Sequence, residues 1–149
     1  MFRGSFEHNI DEKGRVAVPA TFRKLLTIDD EPTSLVVTNS DKCLVAYPID
    51  KWEQLEKKLA SLSQFDPKVV AFQRYFIASA VECPIDKAGR VLLPNNLRKF
   101  AGIEKECFFI GNLTKFEIWS SEAWKATISE ITDNFGALAE SMGEMGISL

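Results

Sequence analysis

Asp11-Glu12-Lys13-Gly14-Arg15-Val16-Ala17-Val18-Pro19, followed shortly by Arg23-Lys24, is a unit that the chain repeats. Seventy-five positions on stands Asp86-Lys87-Ala88-Gly89-Arg90-Val91-Leu92-Leu93-Pro94, followed by Arg98-Lys99. Across the fourteen aligned positions seven are identical: Asp, Gly, Arg, Val, Pro, Arg and Lys. Unrelated segments would share about one, so the chain is an internal duplication. Within each copy, glycine in an Asp-x-x-Gly turn supplies the positive φ of a tight connection between two extended runs. Proline then presets φ for the first turn of a short helix that bears the Arg-Lys pair. The unit reads as strand, turn, strand, helix, with an arginine at the turn's exit.

A chain of 149 residues suits one domain, or two small halves that share a core. With 46% apolar and 26% charged residues it is globular in composition rather than disordered. Its apolar runs fall well short of the roughly 18 residues of a membrane helix, so no membrane partner is expected. Met1-Phe2-Arg3-Gly4 lacks the apolar stretch of a secretion signal, which points to the cytoplasm. Cys43, Cys83 and Cys107 lie apart in apolar, strand-like surroundings. An odd number without Cys-x-x-Cys spacing argues against a disulfide framework and against zinc, and favours three small buried hydrophobes. No cofactor is expected.

The net charge of −3 discourages a nucleic-acid partner until its distribution is read. Lys87, Arg90, Arg98 and Lys99 stand against Asp86 alone, a local +3 over residues 86–99. Residues 1–24 carry a local +2, whereas residues 120–149 hold five acids against Lys125, a local −4. Positive charge thus accompanies the repeated unit and negative charge the tail.

Taken in order, residues 2–10 read as a strand with Phe2, Gly4, Phe6, His8 and Ile10 on one face, pairing through the first turn with residues 15–18. His8, the only histidine, fits a packed and hydrogen-bonded role better than that of a catalytic base. After a short helix over 19–26 and a loop at 29–33, a hairpin is expected around residues 39–42. Asp50-Lys51-Trp52-Glu53 has the pattern of a capping box, and Trp52, Leu55, Leu59 and Leu62 form a stripe behind it. Asp66-Pro67 starts another helix, whose Val69, Val70, Phe72, Phe76 and Ile77 suggest burial between the halves. The second half replays the first: strands at 80–85 and 90–93, a helix over 95–101 stopped by Gly102, and a hairpin around 112–114. Its last helix places Trp124 at the counterpart of Trp52, an offset of 72, and carries Ile128, Ile131, Phe135 and Leu138 in one seam. Both tryptophans are expected to be buried anchors. Gly136 interrupts the seam, and residues 143–149 read as loose.

Two readings of the repeated turn are compatible. Structurally, Asp11 accepts the turn's own N–H groups and Arg15 forks onto it. Functionally, Arg15 and Arg90, with Lys13 and Lys87, face phosphates or guanine edges. An enzyme is disfavoured: His8 has no nucleophile partner in the sequence, and no glycine-rich phosphate loop or metal cluster is present. Asp11 and Asp86 each precede an arginine that lowers a carboxyl pKa, which suits neither to a general-acid role.

Phe2-Arg3-Gly4, His8 and Asp11-x-x-Gly14-Arg15-x-x-x-Pro19-x-x-Phe22-Arg23 together resemble the MraZ family, as does Asp86-x-x-Gly89-Arg90-Val91-Leu92-Leu93-Pro94-x-x-Leu97-Arg98 with Ala101-Gly102 behind it. The resemblance runs to about residue 135. It implies a bacterial transcriptional regulator of the division and cell wall gene cluster, which binds repeats of double-stranded DNA in its own promoter and is nucleoid-associated. It also implies subunits assembled into a ring homo-oligomer. The implied fold is mainly β with helices, a tandem-repeat, AbrB-like swapped-hairpin β-barrel with pseudo-twofold symmetry. On this reading 1–64 is the first repeat, 65–79 a linking helix, 80–135 the second repeat and 136–149 a flexible C-terminal tail. The family's Asp-x-x-x-Arg motif falls on Asp11 and Arg15 and again on Asp86 and Arg90. DNA-facing candidates are Lys13, Gly14, Arg15, Lys87, Arg90 and Arg3. The copies differ, since Ala88 stands where the first has Lys13 and Lys87 where it has Glu12. The alternative from another class is an oligomeric scaffold whose turns make subunit contacts and bind no DNA.

Overall fold

The computed structural model describes residues 1–149, all but the side chain of Pro32. In chain order the first half holds β1 (Ser5–Asn9), β2 (Arg15–Ala17), α1 (Ala20–Lys24), β3 (Thr27–Ile28), β4 (Glu31–Pro32), β5 (Ser34–Asn39), β6 (Leu44–Pro48) and α2 (Ile49–Ala60). Next come α3 (Pro67–Phe76), β7 (Val81–Pro84), β8 (Arg90–Leu92), α4 (Asn95–Ala101), β9 (Glu106–Asn112), β10 (Lys115–Ser120), α5 (Ser121–Asp133) and α6 (Phe135–Glu144).

The strands on either side of each repeated turn do not pair with each other, contrary to the local hairpin expected from the sequence. β1 lies antiparallel to β9, from Ser5 opposite Ile110 to Asn9 opposite Glu106. β7 lies antiparallel to β5 in the other half. β2 pairs with β8, with Val16 opposite Val91. Only the single bridge from Ile10 to Val16 remains of the expected first hairpin. Each half therefore lends its first strand to the hairpin of the other, and β10 joins β6 to complete one sheet ordered β1-β9-β10-β6-β5-β7. The result is a mixed α/β fold built on a mostly antiparallel sheet.

The closed barrel expected from the resemblance is not formed among the described residues. β2 and β8 are three residues long, and they pair with each other in a separate ribbon. The large sheet stays open, with β1 and β7 as its end strands.

Burial explains the exchange. Phe22, Phe109, Phe116, Leu35, Leu93 and Leu97 are all fully buried, and they come from both halves in one continuous cluster. Phe2 stands edge-on to Phe22 at 5.3 Å and to Phe116 at 5.2 Å, so the N-terminal residues are pinned across the halves. A half of some 70 residues would expose these faces and its sheet edges, and would be marginal alone.

Several local expectations are revised. The loop at 29–33 belongs to the β3–β4 ribbon, turned by Asp29 and Asp30 at φ 52° and 64°. The Asp50 capping box is absent: Pro48 is the N-cap of α2 and makes no side-chain cap, because β6 passes directly into the helix. Asp50 instead sits in the first turn, where the helix dipole favours an acid. Asp66 does cap α3, accepting from the Lys68 N–H at 2.9 Å. α3 is not buried between the halves; it lies outside, and only Phe76 of it is buried. The terminal seam breaks at Asn134 into α5 and α6, and the segment expected as a tail is helical up to Glu144.

The two tryptophans also differ. Trp52 is 5% exposed, stacked on Phe76 of α3 at 5.5 Å. Trp124 is half-buried, touching Trp119 and Phe108, because no helix equivalent to α3 covers α5. Trp52→Ala is expected to lower stability by about 3–5 kcal/mol. Trp124→Ala is expected to cost less than half of that, read from chemical unfolding of the two variants. Equal losses would mean that Trp124 is as fully packed as Trp52.

Candidate nucleic-acid interface

Each Asp-x-x-Gly turn is closed by its own aspartate. The Asp11 carboxylate accepts the backbone N–H of Lys13 at 2.9 Å and of Arg15 at 2.8 Å on Oδ1, and Arg15 Nε at 3.0 Å on Oδ2. Asp86 repeats this with the N–H of Ala88 and of Arg90, both at 2.9 Å, and with Arg90 Nε at 3.3 Å. Glycine ends the turn at φ 91° for Gly14 and 78° for Gly89, a conformation that L side chains rarely adopt. The structural reading of the motif is thus realised in both copies.

The brace engages Nε and leaves the two terminal amino groups of each guanidinium without a partner among the described residues. Arg15 and Arg90 are each somewhat more than a third exposed. Their placement follows from strand geometry. Val16 and Val91 are opposed and buried, so the flanking Arg15, Ala17, Arg90 and Leu92 all point to the other face. The two arginines are diagonal neighbours there, with Cα atoms roughly 7–8 Å apart. Lys13 and Lys87 sit exposed at the turn tips.

Arg23 and Arg98, identical in the two copies but outside the set of candidates read from sequence, hold the turns in place. A side chain at Gly14 would collide with the Arg98 guanidinium, and one at Gly89 with Arg23. Each short helix therefore lays its arginine over the turn glycine of the other half. Arg98 Nε donates to the Leu93 carbonyl at 2.9 Å. Backbone bonds complete the interlock, Val18 N–H to Gly89 and Leu93 N–H to Gly14, both at 2.9 Å. The signal that could have found these residues is their identity in both copies; their partners were invisible because each lies in the other half.

The paired units bring residues 11–24, at +2, beside residues 86–99, at +3, so they carry +5 between them. Of the DNA-facing candidates, the fold gathers Lys13, Gly14, Arg15, Lys87 and Arg90 on the β2–β8 ribbon and its turns. Arg3 is elsewhere, beyond the opposite end of β1, where its backbone crowds Gly111 and the neighbouring Phe2 bridges to Leu113.

The remaining polar candidates are structural. His8 Nδ1 donates to the Ala17 carbonyl at 2.6 Å, tying β1 to β2. Burial pushes the thiols of Cys43 and Cys107 up to about 12 and that of Cys83 to about 11, which keeps them as protonated hydrophobes. Among the described residues no group of His, Cys, Asp and Glu could hold a metal ion, and no helix is long and apolar enough to cross a membrane.

Both motif carboxyls are held below the ordinary aspartate value of 3.8. The main cause is the backbone N–H of Arg15 at Asp11 and of Arg90 at Asp86, with the guanidinium adding to it. A depressed folded pKa stabilises the fold fully above the unfolded value, and the contribution is lost as pH falls through the lower folded value. The stability gap between wild type and Asp11→Asn should therefore be flat from pH 8 to pH 5 and close in acid below about 3.8. Urea unfolding across this range measures it; a gap that stays constant into strong acid would mean that the carboxylate charge contributes nothing to the brace.

Residues 1–75 and 76–144 each match the family described as "MraZ protein, putative antitoxin-like". Among curated relatives, the "Transcriptional regulator MraZ" of Moorella thermoacetica is 41% identical over 148 residues, covering 99% of this chain and 100% of that protein. Those of Desulforamulus reducens and Lactiplantibacillus plantarum are each 43% identical, over 97% and 95% of this chain and 99% and 98% of their own lengths. The duplicated turn, its interlocked arginines and a likeness that spans both repeats agree: this chain belongs to the MraZ family.

Proposed function

We propose that the chain is a sequence-specific DNA-binding transcriptional regulator of the division and cell wall gene cluster, which reads repeats in its own promoter as a ring-shaped homo-oligomer. It acts in the cytoplasm, associated with the nucleoid, and needs no cofactor. The observation that carries this reading is the exposed face of the β2–β8 ribbon, where Arg15 and Arg90 stand braced at Nε with their terminal N–H groups free. The relatives, named as transcriptional regulators, support the same reading.

The chemistry suits DNA. A guanidinium offers paired donors to phosphate oxygens or to the O6 and N7 edge of guanine, and a two-stranded ribbon fits the major groove. The aspartate brace fixes each arginine before DNA arrives, so less side-chain freedom is lost on binding. One protomer offers few cations on this face, and isolated patches of that size bind non-specifically with Kd of roughly 10⁻⁴–10⁻⁶ M. A ring that presents several ribbons to repeated sites raises apparent affinity by ~10²–10⁴ through effective concentration. Assembly is on this account part of recognition.

The deciding experiment is a gel shift with DNA from upstream of the gene, with excess unrelated DNA as competitor. Saturable binding that survives the competitor is expected; its absence in an assembled protein would favour the scaffold. Arg15→Ala should weaken binding by about 1–3 kcal/mol while light scattering shows the oligomer intact. Arg90→Ala should weaken it less, because Ala88 replaces a lysine beside it. Loss of the oligomer at unchanged affinity would make the turns subunit contacts.

Salt dependence tests multivalency separately. Four cations on one ribbon contribute a slope of log K against log salt no steeper than about −3.6. Lengthening the duplex from one repeat to several should steepen that slope and tighten binding together. Equal slopes on short and long duplexes would mean that one ribbon docks at a time.

A further inference from the structure

Neither α5 nor α6 contains a buried residue. Ile128, Ile131, Phe135 and Leu138 are 37% to 58% exposed along them. α6 is ten residues long and follows α5 directly after Asn134. Isolated helices shorter than about 12–15 residues are marginal in water and take their stability from packing an apolar face. The arm made by α5 and α6 thus presents a face that lacks its partner.

The duplication shows what kind of partner is missing. In the first half Trp52 lies beneath Phe76 of α3, whereas its counterpart Trp124 has no such cover. α3 itself is apolar on a second side. Lys68, Ala71 and Phe72 fall on one helical stripe, bordered by Tyr75, which donates its hydroxyl to the Ser40 carbonyl and meets Phe100. Phe72 and Tyr75 are each 45% exposed, and Phe65 just before the helix is 97% exposed. Charge separates the two faces. α3 holds Lys68 and Arg74 and no acid, a net +2. The arm, residues 121–144, has a net −4. Within one chain the faces do not meet. α3 lies against β5 and α5 against β9 and β10, up to three strand spacings or roughly 14 Å away across the sheet.

We propose that the α5–α6 arm of one protomer docks on the outer stripe of α3 of a second copy. This rests on the assembly reading above and names the surfaces that make it. The apolar residues supply contact, and the opposite charges set the orientation and oppose pairing of like faces. Because arm and stripe are different patches of the chain, the contact is head-to-tail, the class that can close into rings.

Reciprocal charge reversal tests the seam. Lys68→Glu with Arg74→Glu gives a chain whose two faces are both acidic. Glu130→Lys, Asp133→Lys and Glu140→Lys together give one whose arm turns from −4 to +2, like the stripe it meets. All five positions are exposed, and circular dichroism checks that each variant folds. Sedimentation of the full chains should show wild type assembled, each variant alone shifted to monomer, and an equimolar mixture reassembled to the wild-type size. Variants that keep the wild-type size overturn the seam and leave the ring reading standing. Loss of assembly without rescue on mixing overturns the head-to-tail pairing. A monomeric wild type overturns the ring reading together with the seam.

Discussion

The antiparallel contact of Val16 with Val91 is the constraint on which the structure depends. It joins residues 75 positions apart, and both side chains are 1% exposed. Closing so long a loop costs entropy that grows only as about (3/2)RT ln n, so a shared core can offset it. Once the two valines meet, strand alternation sends Arg15 and Arg90 outward, and the Gly14 and Gly89 carbonyls receive the chain of the opposite half. β1 and β7 are carried across to pair with the other half's hairpin. The duplication is thus spent on exchange rather than on two neighbouring copies.

The same contact accounts for the character of the site. Each turn is braced twice, by its own aspartate from within and by the other half's arginine from above. A turn held from both sides presents its lysine and arginine in one geometry, as a flexible basic loop would not. The sum of charge matters as well. A chain that is acidic overall acquires a basic face because two modestly basic segments are brought side by side while the acidic arm is placed elsewhere.

The pseudo-symmetry is broken where it has consequences. α3 follows the first repeat and covers Trp52, while the second repeat ends in an arm whose Trp124 stays half-buried. At the ribbon, Leu92 opposes Arg15 but Ala17 opposes Arg90, and Leu92 is 54% exposed. The two turns therefore present related but unequal surfaces.

The short helices after Pro19 and Pro94, the stop at Gly102, both later hairpins, the buried cysteines and the aspartate-braced turns were all legible in the sequence. So was the family. These features depend on residues close together in the chain: proline and glycine set backbone angles locally, and alternation marks a strand whatever it pairs with. The strand partners were not legible. Residues 2–10 have the same alternating pattern whether they pair with their own turn or with β9, and only the shared core selects β9. The start of α2 after Pro48 went unread for a related reason, since the preceding strand decides it. The roles of Arg23 and Arg98 were hidden likewise, because each acts on a glycine in the other half. The sequence by itself determined the repeated unit, its local turns and the family; tertiary structure alone decided which half completes which, because burial and strand pairing act between segments that the chain holds far apart.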